Sequence, residues 1–320
     1  MNEYNECDVV VIGGGASGLS AALVLARARR RVAVVDAGRP RNAPAGHMQG
    51  FLGADGLPPA ELLAAGRAEV AGYGGQLISG TVTGITPCPA PAGAVRRRFV
   101  VTLDDGPALR TRRVLVTTGL RDDIPDIPGV RERWGRDLLH CPYCHGYEVR
   151  DRPLGVLGGT PEAVAHAHLV RQWSDDVVFF ANGAVLAADQ RERLAARSIG
   201  IIDAPVARLV VEDDHLSGVE LTSGEIVPRS AVFVRPRFVP NDDLLTSLGC
   251  TTHDSGWVVV DATGRTSVDG IWAAGNAVNP RAQVITAAGE GSAAAIAINN
   301  SLVDEDVSIA VTGFRLGLPV

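Results

Sequence analysis

Asp8-Val-Val-Val-Ile12-Gly13-Gly14-Gly15-Ala16-Ser17-Gly18, with Asp36 following 18 residues after Gly18, is the stretch from which the rest of the chain can be read. The apolar run Asp8–Ile12 predicts a buried strand, the glycines a tight turn, Gly18–Arg29 a helix and Arg31–Asp36 a second strand. Each glycine of Gly13-x-Gly15-x-x-Gly18 has a separate task. Gly13 permits the turn, Gly15 lets backbone approach a pyrophosphate, and Gly18 allows close helix–strand packing. The helix N-terminus favours phosphate, and the Asp36 carboxylate can accept hydrogen bonds from a ribose. Strand, turn, helix, strand and acid together predict a dinucleotide-binding unit.

The composition fits a folded chain of about two domains: 320 residues, 46% hydrophobic and 21% charged. A net charge of −6 argues against nucleic-acid binding, which needs a basic face. All 30 basic residues are arginine, and clustering, as at Arg96, Arg97 and Arg98, is weak. The 37 glycines predict many tight turns where backbone approaches a partner. Met1–Asp8 is polar and acidic, unlike a secretory leader, and glycines interrupt the uncharged run Val9–Ala26, so no membrane span is expected. The expected location is the cytoplasm. The five cysteines, 7, 88, 141, 144 and 250, are too few and too scattered for a disulfide scaffold. Cys141 and Cys144 alone share a C-x-x-C spacing.

Downstream, a Pro/Gly-rich stretch (Gly38–Pro59) leads to a helix over Pro59–Tyr73 and strands around Gln76–Ile85, Arg97–Leu103 and Val114–Thr117, with a loop at Pro87–Gly93. Ile124–Gly129, with paired prolines, marks a boundary. A second β-α-β unit is expected from strand Leu154–Leu157, helix Glu162–Trp173 and strand Val177–Phe180. Shorter strands are expected near Ile199–Ile202, Arg208–Glu212, Gly218–Leu221 and Ala231–Val234. The last section reads as strands Trp257–Val260 and Gly270–Ala273 and a helix Ile285–Asn299. The fold class is α/β, with two Rossmann-like three-layer domains. The first, residues 1–118 and 239–320, is interrupted by the second, residues 119–238.

This duplicated arrangement is similar to that of the flavin disulfide oxidoreductases. Gly270-Ile-Trp-Ala-Ala-Gly-Asn276 and Gln283-Val-Ile-Thr-Ala-Ala-Gly289 resemble the second FAD motif of low-molecular-weight thioredoxin reductases. Thr117-Thr118-Gly119 resembles the family's interdomain turn. Cys141-Pro-Tyr-Cys144, just before the second domain's first strand, matches the position of its redox pair. The resemblance implies FAD held by Gly13, Gly15, Ala16, Ser17, Gly18 and Asp36. Gly38, Arg39, Asn42 and His47, from the loop after the second strand, are implied with them, as is Val82. Thr118, Gly119, Gly275, Asn276, Gln283, Val284 and Ile285 complete the implied set. His47 also reads as a plain loop residue. The family is usually a homodimer.

The chain departs from the family in four places. In Gly158-Gly159-Thr160-Pro161-Glu162-Ala163, Thr160 stands where pyrophosphate needs glycine, and Pro161 removes a backbone donor. After strand Val177–Phe180 comes Ala181-Asn182-Gly183, where the family supplies a His-Arg-Arg clamp for the NADPH 2′-phosphate; no basic residue follows before Arg191. Binding of NAD(P)H is therefore doubtful: the domain either takes NADH, or NADP in another pose, or has lost nicotinamide binding. His145 replaces the aspartate that usually follows the redox pair, and Asn276 replaces the aspartate of the flavin motif. With C-x-x-C-H-G, these changes resemble the gliotoxin- and holomycin-type dithiol oxidases, which close a disulfide in a small natural product and pass electrons through FAD to oxygen.

A C-x-x-C can also be half of a zinc site, but no second pair exists to complete one. Pro142 suits a first helical turn, where a cysteine thiol has a depressed pKa. The resemblance turns Cys144 toward flavin and makes Cys141 the exchanging thiol. His145 is the candidate acid–base group, or a hydrogen-bonded structural residue. Cys7 and Cys250 read as packing residues, Cys88 as a loop residue, and His166 and His168 as surface or packing residues. The expected activity is oxidation of a small dithiol with O2 as acceptor. An NAD(P)H-dependent disulfide reductase and a flavin-bearing redox sensor are the alternatives.

Overall fold

The structure is a computed structural model that describes residues 6–88 and 99–316. Arg96–Arg98, most of the Pro87–Gly93 loop and the acidic start of the chain lie outside the described residues.

The chain runs β1 (Glu6–Ile12), α1 (Ala16–Arg27), β2 (Val32–Asp36), α2 (Pro59–Gly72), β3 (Gln76–Ser79), β4 (Val82–Pro87), β5 (Phe99–Leu103), β6 (Leu109–Val116) and β7 (Leu120–Asp123). It continues α3 (Val130–Arg133), β8 (Leu138–Leu139), α4 (Pro142–His145), β9 (Leu154–Leu157), α5 (Ala163–Val170), β10 (Val177–Phe180), α6 (Ala188–Ala196) and β11 (Gly200–Ile202). Then come β12 (Val206–Glu212), β13 (His215–Leu221), β14 (Ile226–Pro228), β15 (Ala231–Val234), β16 (Arg237–Pro240), α7 (Asp243–Ser247), β17 (Ile271–Ala273) and α8 (Val284–Arg315).

Two compact units result. The first comprises Met1–Arg41, Pro59–Arg121 and Pro240–Val320, and the second Asn42–Pro58 and Asp122–Val239. In the first, β1 lies between β2 and β6, parallel to both, in the order β3-β2-β1-β6-β5-β4, and β17 adds to the C-terminal half of β6. Covered on both faces, β1 can be apolar throughout. Val9 and Val11 enter a core with Leu19, Leu25, Trp272 and Ile298; Val10 and Ile12 enter another with Phe99, Val101, Leu245 and Ile271. The second unit carries the parallel sheet β11-β10-β9-β15-β8 and a separate antiparallel sheet β12-β13-β14.

Several expectations are corrected. The segment Asn42–Pro58, assigned to the first domain, packs with the second unit instead. It has no strand to bind it to the first sheet, and a Cβ at Gly135 would stand 2.8 Å from Pro44 Cβ. The single strand expected over Gln76–Ile85 is two strands, because Gly80 takes φ +158° and donates its N–H to the Asp36 carbonyl. β3 therefore joins β2 in parallel, while β4 turns into an antiparallel meander with β5. Trp257–Val260 forms no strand, only an isolated bridge between Thr252 and Val258 around the turn at Gly256.

The last helix does not stop at Asn299 but runs to Arg315, 32 residues in all. Asn299-Asn300-Ser301 has low helix propensity and reads as an end. What carries the helix on is a set of arginines on distant elements. Arg30 binds Asn299 and Asp306, buried Arg112 reaches Glu305 and Asp306, and buried Arg113 reaches Ser301 and Glu305. No helix among the described residues is long and apolar enough to cross a membrane.

Candidate active site

In the first unit the glycine turn is built as its spacing requires. Gly13, at φ +107°, donates to the Val35 carbonyl, and a Cβ there would sit 2.5 Å from the Thr117 carbonyl oxygen. A Cβ on Gly18 would lie 1.9 Å from the Gly13 carbonyl oxygen, so only glycine lets α1 start this close to β1. Gly15, the N-cap of α1, faces open space. The Asp36 carboxylate accepts the Gly14 N–H at 3.1 Å, which fixes the acid against the turn.

Beside this cradle, Gly275 packs so closely that its Cβ would meet Ser17 Cβ at 3.0 Å. Ser17 Oγ is buried without a hydrogen-bond partner. Glu290 fastens the second motif, accepting the Gly275 N–H at 2.9 Å and the Asn279 amide at 2.6 Å. Asn276 donates both amide hydrogens, to the Asn279 and Ala282 carbonyls, and its Oδ1 accepts from Arg41 at 3.4 Å. An aspartate could not donate to these carbonyls, so the amide adds two bonds within the loop. The sequence alone marks Asn276 only as a replacement for the family's aspartate.

Gln283 is the N-cap of α8, followed by Val284 and exposed Ile285. Gly119 takes φ +70°, and Thr118 and Asn241 exchange side chain–backbone hydrogen bonds at 2.6 and 3.0 Å. Val82 is buried in β4, while Gly38 and Arg39 are exposed beyond β2. Asn42 and His47 belong to the second unit.

In the second unit, Cys141 and Cys144 are joined in a disulfide across a single helical turn, Cα to Cα 5.2 Å. Cys141 is the N-cap, Pro142 occupies the first helical position, and the Cys144 and His145 N–H groups both donate to the Cys141 carbonyl. Gly146 completes C-x-x-C-H-G for a steric reason. A Cβ there would stand 2.5 Å from the Pro142 carbonyl oxygen and 2.8 Å from the Trp173 ring. Trp173 in turn meets Tyr143 edge-on at 5.6 Å. His145 is half-buried, and burial holds its pKa below the ordinary value, against a smaller upward pull from Glu148. It is therefore neutral near pH 7, the state that accepts a proton.

Behind the pair, His166 on α5 is buried between His140 and Phe233, with ring centroids 6.0 Å from each. Neither ring nitrogen finds a well-formed hydrogen bond, and the nearby His140 backbone only slightly offsets the effect of burial. Burial, then His140 and Arg235, push the imidazole down to about 4. Because the unfolded chain protonates near 6.5, His166 supports the fold fully above that pH. That support fades as pH falls toward 4, by about 1.4 kcal/mol per pH unit at most. In urea unfolding at pH 7.5 and 5, His166→Leu should show a stability difference smaller than wild type by about 2 kcal/mol. An unchanged difference would remove His166 as its source.

The region where a nicotinamide cofactor would bind is differently built. Gly158 is confined, its Cβ site 2.7 Å from the Phe180 carbonyl, and Gly159 is open at φ +112°. Thr160 follows, its hydroxyl buried without a partner, and Glu162 sits at the N-cap of α5. After β10, Asn182 Oδ1 accepts the Val206 N–H at 2.9 Å, a link to β12 at the position of the missing clamp. Arg191 is paired with Asp203 at 2.6 Å.

A fold of two such units, one with an intact dinucleotide cradle and one with a C-x-x-C disulfide, defines a flavin disulfide oxidoreductase. The chain belongs to the pyridine nucleotide-disulphide oxidoreductase family, whose model matches residues 7–291. Within it, the chain is thioredoxin reductase-like. It is 31% identical over 320 residues to thioredoxin reductase sirT of Leptosphaeria maculans, covering 94% of this chain and 96% of that one. Among solved structures, HlmI is 60% identical with a TM-score of 0.94, each chain 99% covered. The thioredoxin reductase of Streptococcus pyogenes MGAS5005 is 25% identical with a TM-score of 0.83, covering 94% and 99%.

FAD is the cofactor of this thioredoxin reductase-like family. The residues present fit it. Gly15 leaves the cradle open, Ser17 Oγ is a buried polar atom lacking a partner, and the α1 N-terminus offers free N–H groups to a phosphate.

Proposed function

We propose that this protein is an FAD-dependent dithiol oxidase that closes a disulfide in a small, natural-product-like substrate, with O2 as final acceptor and H2O2 as product. One observation carries the reading: the Cys141–Cys144 disulfide stands in a unit whose second glycine turn continues into Thr160, Pro161 and the N-cap Glu162, with Asn182 bonded to β12. Thr160 and Pro161 crowd the phosphate position, the Glu162 carboxylate repels it, and Asn182 occupies the clamp position with a structural bond. On this reading electrons enter from a dithiol.

His145 takes the proton of a substrate thiol, and the thiolate attacks Cys141. A mixed disulfide forms as the Cys141–Cys144 bond breaks. The second substrate thiolate attacks the substrate sulfur of that mixed disulfide and frees Cys141. The product disulfide leaves, and the cysteine pair holds two electrons and two protons. Bound FAD supplies the two-electron acceptor for that pair. Gly13, Gly15, Ala16, Ser17, Gly18 and Asp36 are proposed to hold its dinucleotide portion, with Gly38, Arg39, Val82, Thr118, Gly119, Gly275, Asn276, Gln283, Val284 and Ile285 around the rest.

The test is anaerobic mixing of the purified flavoprotein with a small dithiol or with NADPH or NADH. Bleaching of the flavin by the dithiol, reversed by air, is the expected result. Stoichiometric bleaching by micromolar NADPH would establish the reductase instead.

A further inference from the structure

We propose that His47 is a second acid–base residue, which takes the proton of the substrate's second thiol. This rests on the dithiol-oxidase reading above and assigns to His47 a chemical task different from the flavin contact implied by family position.

The first support is a cavity of about 410 Å³ within the second unit. His145, next to the redox disulfide in sequence, lines it together with His47 and Gln49. A cavity of that volume suits a compact small molecule.

The second is the way His47 is held. Residues 47–57 form a closed loop in which the Met48 N–H donates to the Leu57 carbonyl at 3.0 Å and the Gly56 N–H donates to the Met48 carbonyl at 2.8 Å. His47 Nδ1 lies 3.0 Å from the Gly56 carbonyl oxygen. That oxygen can only accept, so Nδ1 carries the hydrogen and Nε2 is the basic nitrogen. The side chain is exposed rather than packed away, so Nε2 can meet a ligand in the cavity.

The third is the charge around it. The cavity's other titratable or charged residues are Arg136, His145 and Glu148. The Arg136 guanidinium is occupied by the Asp214 carboxylate, at 2.6 and 3.0 Å. On the loop itself, the Asp55 carboxylate accepts the Gly50 N–H at 2.7 Å. Glu148 is the one carboxylate among the residues that line the cavity.

Oxidation of a dithiol by a disulfide needs two thiols deprotonated in succession. The first proton passes to His145 as the thiolate opens the Cys141–Cys144 bond. The second passes to His47 Nε2 as the other thiolate attacks the substrate sulfur bonded to Cys141, and the substrate S–S bond forms as that S–Cys141 bond breaks. Both protons end on the two cysteine thiolates. Two electrons have moved from substrate to protein, and both histidines are neutral again.

The experiment follows reduction of the disulfide anaerobically, using dithiothreitol and alkylation of the freed cysteines between pH 5.5 and 9.5, in wild type and His47→Gln. Flavin content and urea stability are measured alongside as checks on folding. A variant that retains FAD and reacts about 10- to 100-fold more slowly at pH 7 is expected. The gap should close toward pH 9.5, where the substrate thiol ionises unaided. Equal rates at every pH, or a deficit independent of pH, would overturn the His47 role alone. A wild-type disulfide inert to the dithiol would overturn the oxidase reading and the His47 role together.

Discussion

Cys141→Ser is expected to lower dithiol turnover at least about a thousandfold, a loss of about 4 kcal/mol of transition-state stabilisation, while the protein stays yellow. The size follows from the chemistry: without the Cys141–Cys144 disulfide no bond on the protein can accept the substrate thiolate. Folding should hardly change, because both cysteines lie half-exposed on one short turn. The two cysteines should also differ in a way that activity alone does not report. Under the proposed roles, Cys144→Ser keeps Cys141 as a lone thiol, which should capture an oxidised substrate as a mixed disulfide visible in the intact mass. Cys141→Ser should capture far less. Equal capture by both variants would exchange the roles or abolish the distinction, and residual turnover above about a tenth would remove the pair from the mechanism.

The second large effect belongs to the first unit. Gly291→Ala is expected to destabilise the protein by about 3 kcal/mol and to cost it FAD, read as a lower urea midpoint and a lower ratio of flavin to protein absorbance. Two effects oppose each other here. In a helix interior, alanine is favoured over glycine by about 1 kcal/mol. At position 291, however, the new Cβ would stand 2.0 Å from the Ser17 carbonyl oxygen and 2.9 Å from its Cα, so α8 and α1 must move apart. The clash wins, and because Ser17 belongs to the dinucleotide turn, the displacement reaches the cofactor. Gly289→Ala, on the same helix but with nothing within 4 Å of its Cβ, should be neutral or slightly stabilising. Similar losses in the two variants would mean that helix composition, not the crossing, decides.

The parts of the site that could be read from the sequence are those whose chemistry is local. The Gly13–Gly18 turn is specified by consecutive residues, and Cys141-Pro-Tyr-Cys144 makes its own helical turn. Thr160 and Asn182 could be singled out as departures because a family pattern existed to measure them against. The bond from Asn182 to Val206 could not, since it depends on where β12 returns. The same holds for α8 beyond Asn299, whose continuation depends on Arg30, Arg112 and Arg113, well over a hundred residues away. The roles of Gly146 and Gly291 are steric, and the residues they accommodate, Trp173 and Ser17, are not neighbours in sequence. Segment Asn42–Pro58 is the least legible: it lacks a strand, and it groups with residues 122–239 rather than with its sequence neighbours.

That excursion also bears on how such a protein could be recombined. The second unit is not a continuous cassette, because Asn42–Pro58 belongs to it although the chain reaches the rest only at Asp122. A graft of residues 122–239 alone onto a relative would carry over the redox disulfide and His145 but leave Pro44, Gly46, His47 and Gln49 behind. The hybrid would then combine one parent's sulfur chemistry with a cavity lined in part by each parent. Exchange of substrate preference between such enzymes should therefore require two segments to move together, the 17 residues Asn42–Pro58 and the longer Asp122–Val239.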